Sequence, residues 1–348
     1  MHDDMPGTDG SKLTVAITGP TGSIGKALVN VLEKDDTIAS IVGMARRPFD
    51  PGRFGWHKFE YREGDITDRQ AVRELIEGAD VVAHLAFIIL GKPDEAHAVN
   101  VNGSRNVFEE CFAAGIDRLV YTSSVAAYGF HEDNPELLDE EVPPRGSEDH
   151  YYSAQKAEVE SLLYRLMQGQ KTEVFIFRPC IVAGPNATEL IEEIPFVRVG
   201  DKMPERVRAV ATSIPLLRPV LPDPGIPFQL IHEEDVADAL ALAIKGGVVP
   251  GAYNLAAEGD VTVSDLAHAL GWYAIPVPEI AIDATAKIVS RLPYLPAKAS
   301  WINAVRVPVL MKTDKARRNL GWHPRYSALE TLAETIQGAR DKGLIARP

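Results

Sequence analysis

Short apolar runs alternate with amphipathic stretches through the first half of the chain, in the rhythm of strand and helix. Residues 13–17 form the first such run and read as a short buried strand. Residues 26–33 follow, with apolar side chains at 28, 29, 31 and 32 on one helical face. Further strands are predicted over 38–45, 59–66, 80–86 and 118–123, with helices over about 68–78, 96–114 and 152–167. Residues 80–86 are nearly all apolar, as expected of a central parallel strand covered on both faces. This βαβαβ alternation predicts an α/β, doubly wound parallel-sheet Rossmann fold. Beyond residue 186 the pattern is less regular. Helices are predicted over 235–244, opened by His232, over 263–271, opened by Thr262 or Ser264, and over 328–342, with a short strand at 253–256.

The joint between the first strand and helix reads Thr18-Gly19-Pro20-Thr21-Gly22-Ser23-Ile24-Gly25. In a strand–turn–helix context such glycines point to a dinucleotide pyrophosphate. Gly19 suits a tight turn, Gly22 a close backbone approach, and Gly25 tight helix-to-strand packing. Unpaired N–H groups and the helix dipole would draw the anion there, so Thr21, Ser23 and Ile24 join the candidate cofactor-binding residues. The second strand ends in Arg46-Arg47 with no acid, although NAD-selective folds usually place an acid near this point. Arginine suits a 2′-phosphate, favouring NADP over NAD; the alternative is that both arginines are solvated loop residues.

Tyr152 and Lys156 stand four apart on one helix face, and an ammonium beside a phenol would lower the phenol's pKa toward acid/base use. Ser124, past the end of the fifth strand, could hold a substrate oxygen beside them. His84 reads as a core histidine, Tyr121 and Tyr128 as packing residues. Asn102 and Ser104 could simply cap a helix.

With these residues in place, the chain resembles the extended short-chain dehydrogenase/reductases, the NAD-dependent epimerase/dehydratase family. The motifs are the glycine turn, Gly64-Asp65-Ile66, His84-Leu85-Ala86, Asn100–Ser104, Thr122-Ser123-Ser124 with Tyr128-Gly129, Tyr152 with Lys156, and Arg178-Pro179, extended by Ile231-His232 and Asp235. The resemblance implies that Asp65 and Ile66 flank the adenine, while Leu85 and Ala86 pass along the pyrophosphate, with Asn100 and Thr122 nearby. It implies Tyr152 as the acid/base, Lys156 on the nicotinamide ribose, Ser124 on the substrate oxygen, and Pro179, Ile181 and Val182 along the nicotinamide. Dehydratases of the family carry two acids where Val125 and Ala126 stand here, which argues against elimination chemistry. Sugar-nucleotide epimerases carry an arginine where Phe228 stands, although Arg206, Arg208 or Arg218 could supply that charge.

The apolar loop 87–91 and the proline-rich segment 213–222 could line a pocket for a hydrophobic carbonyl substrate or pack between lobes. The expected division is a disordered tail at 1–12, an NAD(P)-binding domain at 13–185 rejoined by 226–256, and a smaller mixed C-terminal substrate lobe from 186–225 and 257–348. The expected activity is hydride transfer between nicotinamide and a carbonyl or secondary alcohol. An NAD-dependent sugar epimerase and a noncatalytic dinucleotide sensor are the alternatives. A formal net charge of −13 argues against binding nucleic acid or anionic membranes. Cys111 and Cys180 read as buried free thiols of a reducing compartment, hence a cytoplasmic protein. No metal site is predicted. Helices near 97–114 and 152–168 are expected to pair in a homodimer.

Overall fold

The computed structural model describes residues 12–89, 93–192, 194, 197, 219–277 and 307–345. Its centre is a seven-stranded sheet in which every neighbouring pair is parallel. The strands are β1 (Leu13–Thr18), β2 (Ile38–Ala45), β3 (Phe59–Glu63), β4 (Val81–His84), β5 (Arg118–Thr122), β6 (Glu173–Pro179) and β10 (Gly251–Leu255). Their spatial order is β10-β6-β5-β4-β1-β2-β3, so the chain reverses direction of travel between β1 and β4. Ligands of open α/β sheets bind at such a switch point, outside the carboxyl ends of the strands.

Helices α1 (Ser23–Glu33), α2 (Arg69–Ile76), α3 (Pro93–His97), α4 (Ser104–Ala114) and α5 (Tyr151–Leu166) alternate with the strands. The sheet is buried on both faces. One cluster joins Val15, Leu28, Ile41, Phe175 and Leu240, and the other joins Ala16, Val82, Phe108, Leu119 and Leu163. Later come α6 (Glu189–Glu192), α7 (Glu233–Lys245), α8 (Val263–Leu270), α9 (Asp314–Leu320) and α10 (Ala328–Asp341). Two small parallel pairs, β7 (Ile181–Ala183) with β9 (Leu230–His232) and β8 (Val220–Asp223) with β11 (Tyr273–Pro276), complete the described elements. A third apolar cluster, including Ile191, Leu230, Val261, Leu332 and Ile336, lies among these later elements.

Most predicted elements form, with four instructive differences. The third strand stops at Glu63: the Gly64 N–H makes the last bond of the ladder, to the Ala45 carbonyl 3.0 Å away, and Asp65 then closes a side-chain turn on Thr67. The fourth stops at His84. The helix expected over 96–114 is interrupted by a π-helical stretch, Ala98–Gly103, the kind of defect that recurs at functional sites. Strand β6 was not foreseen, although residues 174–177 are a buried apolar run. Both cysteines are free and buried, and His232 and Thr262 cap their helices as expected. Residues 1–11, Leu90, Gly91, Arg206, Arg208, residues 213–217, Arg218 and Trp301 lie outside the described residues.

Candidate functional site

The phosphate end is built from backbone. Gly19 adopts φ 73°, and its N–H donates to the Met44 carbonyl at 2.9 Å. A Cβ there would stand 2.9 Å from the Ala86 backbone, so the turn and the end of β4 meet only because residue 19 has no side chain. At Gly25 a Cβ would fall 2.5 Å from the Gly19 carbonyl, which closes helix onto turn. Gly22, the N-cap of α1, is different: the nearest atom to a Cβ is 3.7 Å away, which leaves room for an approaching ligand. No side chain caps this helix and its first turn holds no acid. The first-turn amides of Ser23, Ile24 and Gly25 are therefore left, with the helix dipole, in the arrangement that attracts an anion.

At the adenosine side, Arg46 and Arg47 are exposed just beyond β2, and neither forms an ion pair among the described residues. The Tyr61 hydroxyl reaches the Ala45 carbonyl at 2.8 Å and also the Arg47 carbonyl, fixing their loop. Asp65 accepts from the Thr67 N–H and hydroxyl at 2.9 Å through one oxygen. Ile66 is buried against Gly103, where a Cβ would come 2.6 Å from its side chain.

Between the two ends, His84 organises the turn after β4. It is fully buried, and burial with the nearby Lys156 charge pushes its pKa down to about 3, so the ring is neutral. Its Nε2 lies 2.9 Å from Ser104 Oγ, which itself donates to the Asn100 carbonyl. Ser104 thus accepts from Nε2–H, and Nδ1 accepts from the Thr18 hydroxyl at 2.7 Å. The Thr18 oxygen then accepts the Leu85 and Ala86 amides at 3.2 and 3.3 Å. His84 is a core residue that holds the predicted cofactor-side backbone. Asn100 is likewise fully buried. Its amide exchanges hydrogen bonds with the Ile88 backbone at 2.7 and 2.9 Å and donates to Gln155 Oε1 at 2.8 Å.

The reaction end gathers Thr122, Ser124, Tyr152 and Lys156. Ser124 caps the 3₁₀ turn Val125–Tyr128, its hydroxyl near enough to the half-buried Tyr152 phenol to favour the phenolate. Lys156 is buried, and its Nζ donates to the Thr122 carbonyl at 2.9 Å, with the Tyr121 hydroxyl at 3.5 Å. Desolvation lowers the Lys156 pKa to about 7, against the opposing pull of Glu160. Here the sequence expectation changes. Burial raises the Tyr152 pKa against the opposing effect of the nearby Ser124 hydroxyl. The nearest partners of the ammonium are the Thr122 carbonyl and the Phe87 ring, and the Tyr152 ring centroid lies 5.9 Å away.

Behind the site lies a buried charge pair that the sequence reading missed. Arg178 and Glu160, both almost without exposure, meet through Nη2–Oε2 at 2.6 Å and Nε–Oε1 at 3.0 Å. Glu160 also accepts from Ser123 Oγ at 2.5 Å, and Arg178 donates to the Tyr128 hydroxyl at 2.8 Å. The signal was present: Glu160 stands four residues after Lys156 on the same face of α5. Pro179 is buried, Ile181 is exposed and Val182 half-buried at the β6–β7 junction, where the Cys180 N–H bonds the Leu255 carbonyl at 2.9 Å. The buried Thr122 hydroxyl has no partner, a polar atom left for something outside the described chain.

These features fit a dinucleotide: an open, uncapped helix start at one end, and an unpartnered hydroxyl beside a buried lysine at the other. A sheet that runs 3-2-1-4-5-6 and carries this glycine turn is a dinucleotide-binding Rossmann fold. The profile of the NAD dependent epimerase/dehydratase family matches residues 15–256, and the chain belongs to that family of enzymes. It is 28% identical over 335 residues to the uncharacterized protein y4nG of Sinorhizobium fredii, covering 92% of this chain and 77% of that one. It is also 28% identical over 190 residues to a 2-alkyl-3-oxoalkanoate reductase of Shewanella oneidensis, covering 51% of this chain and 47% of the reductase. Solved structures with the same fold include a short-chain dehydrogenase/reductase superfamily protein from Agrobacterium tumefaciens with bound NAD. That structure has TM-score 0.70 and 20% identity, covering 94% of this chain and 98% of that one. MoeE5 in complex with UDP-glucuronic acid and NAD has TM-score 0.68 and 21% identity, covering 94% and 99%. No described helix is long and apolar enough to cross a membrane.

Proposed function

We propose that the protein is an NAD(P)-dependent oxidoreductase that reduces the carbonyl, or oxidises the corresponding secondary alcohol, of a small and partly hydrophobic substrate. The observation that carries this reading is the gathering of Ser124, Tyr152 and the buried Lys156 at the carboxyl edge of β5, with Lys156 Nζ 5.9 Å from the Tyr152 ring centroid. Gly19, Thr21, Gly22, Ser23, Ile24 and Gly25 would hold the pyrophosphate, Arg46, Asp65 and Ile66 the adenosine, and Leu85 and Ala86 the path between. Thr122, Lys156, Pro179, Ile181 and Val182 would border the nicotinamide. When bound, the reduced cofactor supplies a hydride to the carbonyl carbon. Ser124 donates a hydrogen bond to the carbonyl oxygen and orients it. Tyr152 gives that oxygen its phenolic proton as the carbon–oxygen double bond becomes a single bond, and the phenolate recovers a proton from solvent. Burial raises the Tyr152 pKa, so the phenol is protonated at neutral pH, the form that donates a proton.

The expected result is that Tyr152→Phe binds cofactor with wild-type affinity and loses activity by roughly 10²- to 10⁴-fold. Equal activity in the variant would remove Tyr152 from the chemistry. A sugar-nucleotide epimerase is the second reading, favoured by the UDP-sugars bound in structural neighbours. Phe228 weighs against it, since that residue packs on the third apolar cluster where a diphosphate-binding arginine would be needed. Denaturing the purified protein separates the readings. Tightly retained NAD points to an epimerase, whereas a freely exchanging site that prefers NADPH to NADH supports a reductase and the role given to Arg46.

A further inference from the structure

Residues 87–89 pass over the reaction end in a way that the acid/base chemistry does not require. The Phe87 ring centroid lies 3.6 Å from Lys156 Nζ, a cation–π contact, and 5.5 Å from the Tyr152 ring in edge-to-face geometry. The loop that carries it is pinned on its far side. Asn100 holds both polar groups of Ile88, and the Tyr151 hydroxyl donates to the Ile89 carbonyl. A second ring beside Tyr152 is His150, at 6.3 Å, itself against Phe130 at 5.3 Å. Burial lowers the His150 pKa, so this ring is neutral at pH 7. Phe87 and His150 thus each stand in edge-to-face geometry to Tyr152.

An ammonium has three N–H donors. One is spent on the Thr122 carbonyl, Tyr121 stands at a second, and the Phe87 ring covers the remaining face. A hydroxyl of a bound nucleotide can reach Nζ only by taking the place of that ring. Because Ile88 and Ile89 are pinned, the side chain turns while its backbone stays beside Tyr152.

We infer that Phe87 is the specificity-determining residue of this site: it yields Lys156 to the cofactor and then packs against the apolar substituent of an alkyl or aryl ketone held at Tyr152. This deepens the oxidoreductase reading and rests on it for the substrate, though not for the contest over Lys156.

The test compares wild type with Phe87→Ala and Phe87→Leu. Fluorescence titration with NADPH and NADH reads cofactor affinity, and 2-butanone and 2-undecanone read substrate preference. Both variants lose the π face and are expected to bind the preferred cofactor about three- to thirtyfold more tightly. The kcat/KM ratio of 2-undecanone to 2-butanone is expected to fall at least about tenfold in Phe87→Ala, and to be largely restored by the apolar bulk of Phe87→Leu. Cofactor affinity that is unchanged or weaker in both variants overturns the contest over Lys156, and an unchanged ketone ratio in Phe87→Ala overturns the substrate wall. If wild type reduces neither ketone while both variants bind cofactor more tightly, the ketone reading and the wall fall together and the role of Phe87 at Lys156 stands.

Discussion

The two ends of the cleft are built on opposite principles. At the phosphate end almost nothing but backbone takes part: Gly19 touches Ala86, Gly25 touches Gly19, and Gly22 leaves α1 uncapped. At the reaction end the work is done by side chains, and they are backed by a charge pair sealed from solvent. The difference lies in what each must do. A pyrophosphate is fixed in charge and shape, so a rigid array of N–H dipoles can be complementary to it without any ionisable group. Proton transfer needs groups whose protonation can change, and holding such groups in a dry interior needs compensating charge around them.

If that contrast is right, the phosphate end fails through sterics alone. Gly25→Val places a branched side chain where even a Cβ would lie 2.5 Å from the Gly19 carbonyl and 2.7 Å from Pro20 backbone. Backbone atoms cannot swing aside, so the turn and helix must separate. We expect cofactor binding to fall below detection in a NADPH or NADH fluorescence titration. Near-wild-type affinity would show that the close packing of α1 on its turn is dispensable.

The reaction end should fail through charge. Glu160→Gln keeps the size of the side chain and leaves Arg178, at 1% exposure, without its counter-charge. Removing one partner of a buried ion pair typically costs about 3–5 kcal/mol. Urea unfolding should show a loss of that order, much of the total stability of an ordinary domain. A loss under about 1 kcal/mol would mean that water or Tyr128 takes over from the carboxylate.

The same contrast explains what could be read from the sequence. The glycine turn was legible because its logic is local: strand, three glycines and helix lie within one short stretch. Lys156 and Tyr152 were legible because four residues on a helix define a face. Strand β6 was passed over, although Val174, Phe175, Ile176 and Phe177 form as plain an apolar run as any other. The π-helical stretch leaves no mark in the apolar spacing, and the bonds of its Asn100 to Ile88 and Gln155 are made only in the folded chain. The pKa of Tyr152 was misjudged for a related reason. Sequence spacing placed an ammonium near a phenol, but only the fold shows the ammonium turned toward Thr122 and Phe87. The homodimer is a proposal of the same kind, resting on α4 and α5 being paired across a twofold axis.

The smallest expected effect probes the charge balance around Lys156 directly. Its neighbours are Glu160 on the same helix, which favours the ammonium, and neutral groups elsewhere: His84 on β4, Tyr121 on β5 and the Tyr152 phenol. In the folded protein the group loses its proton near pH 7, whereas an unfolded lysine keeps it to about 10.5. Between those values the unfolded chain binds more protons, so this group makes stability rise with pH from about 7 and cease to rise beyond about 10.5. Cofactor opposes the shift, because ribose hydroxyls and nearby phosphates favour the ammonium. At pH 8 binding should therefore draw a fraction of a proton from solution, and at pH 6, where Lys156 is already charged, essentially none. Calorimetric titration with the preferred cofactor in two buffers of different ionisation enthalpy measures this uptake. Lys156→Met should abolish the pH 8 uptake while still binding cofactor through the glycine turn. Equal uptake at both pH values, or uptake that persists in Lys156→Met, would place the titrating group elsewhere and leave the buried lysine charged throughout.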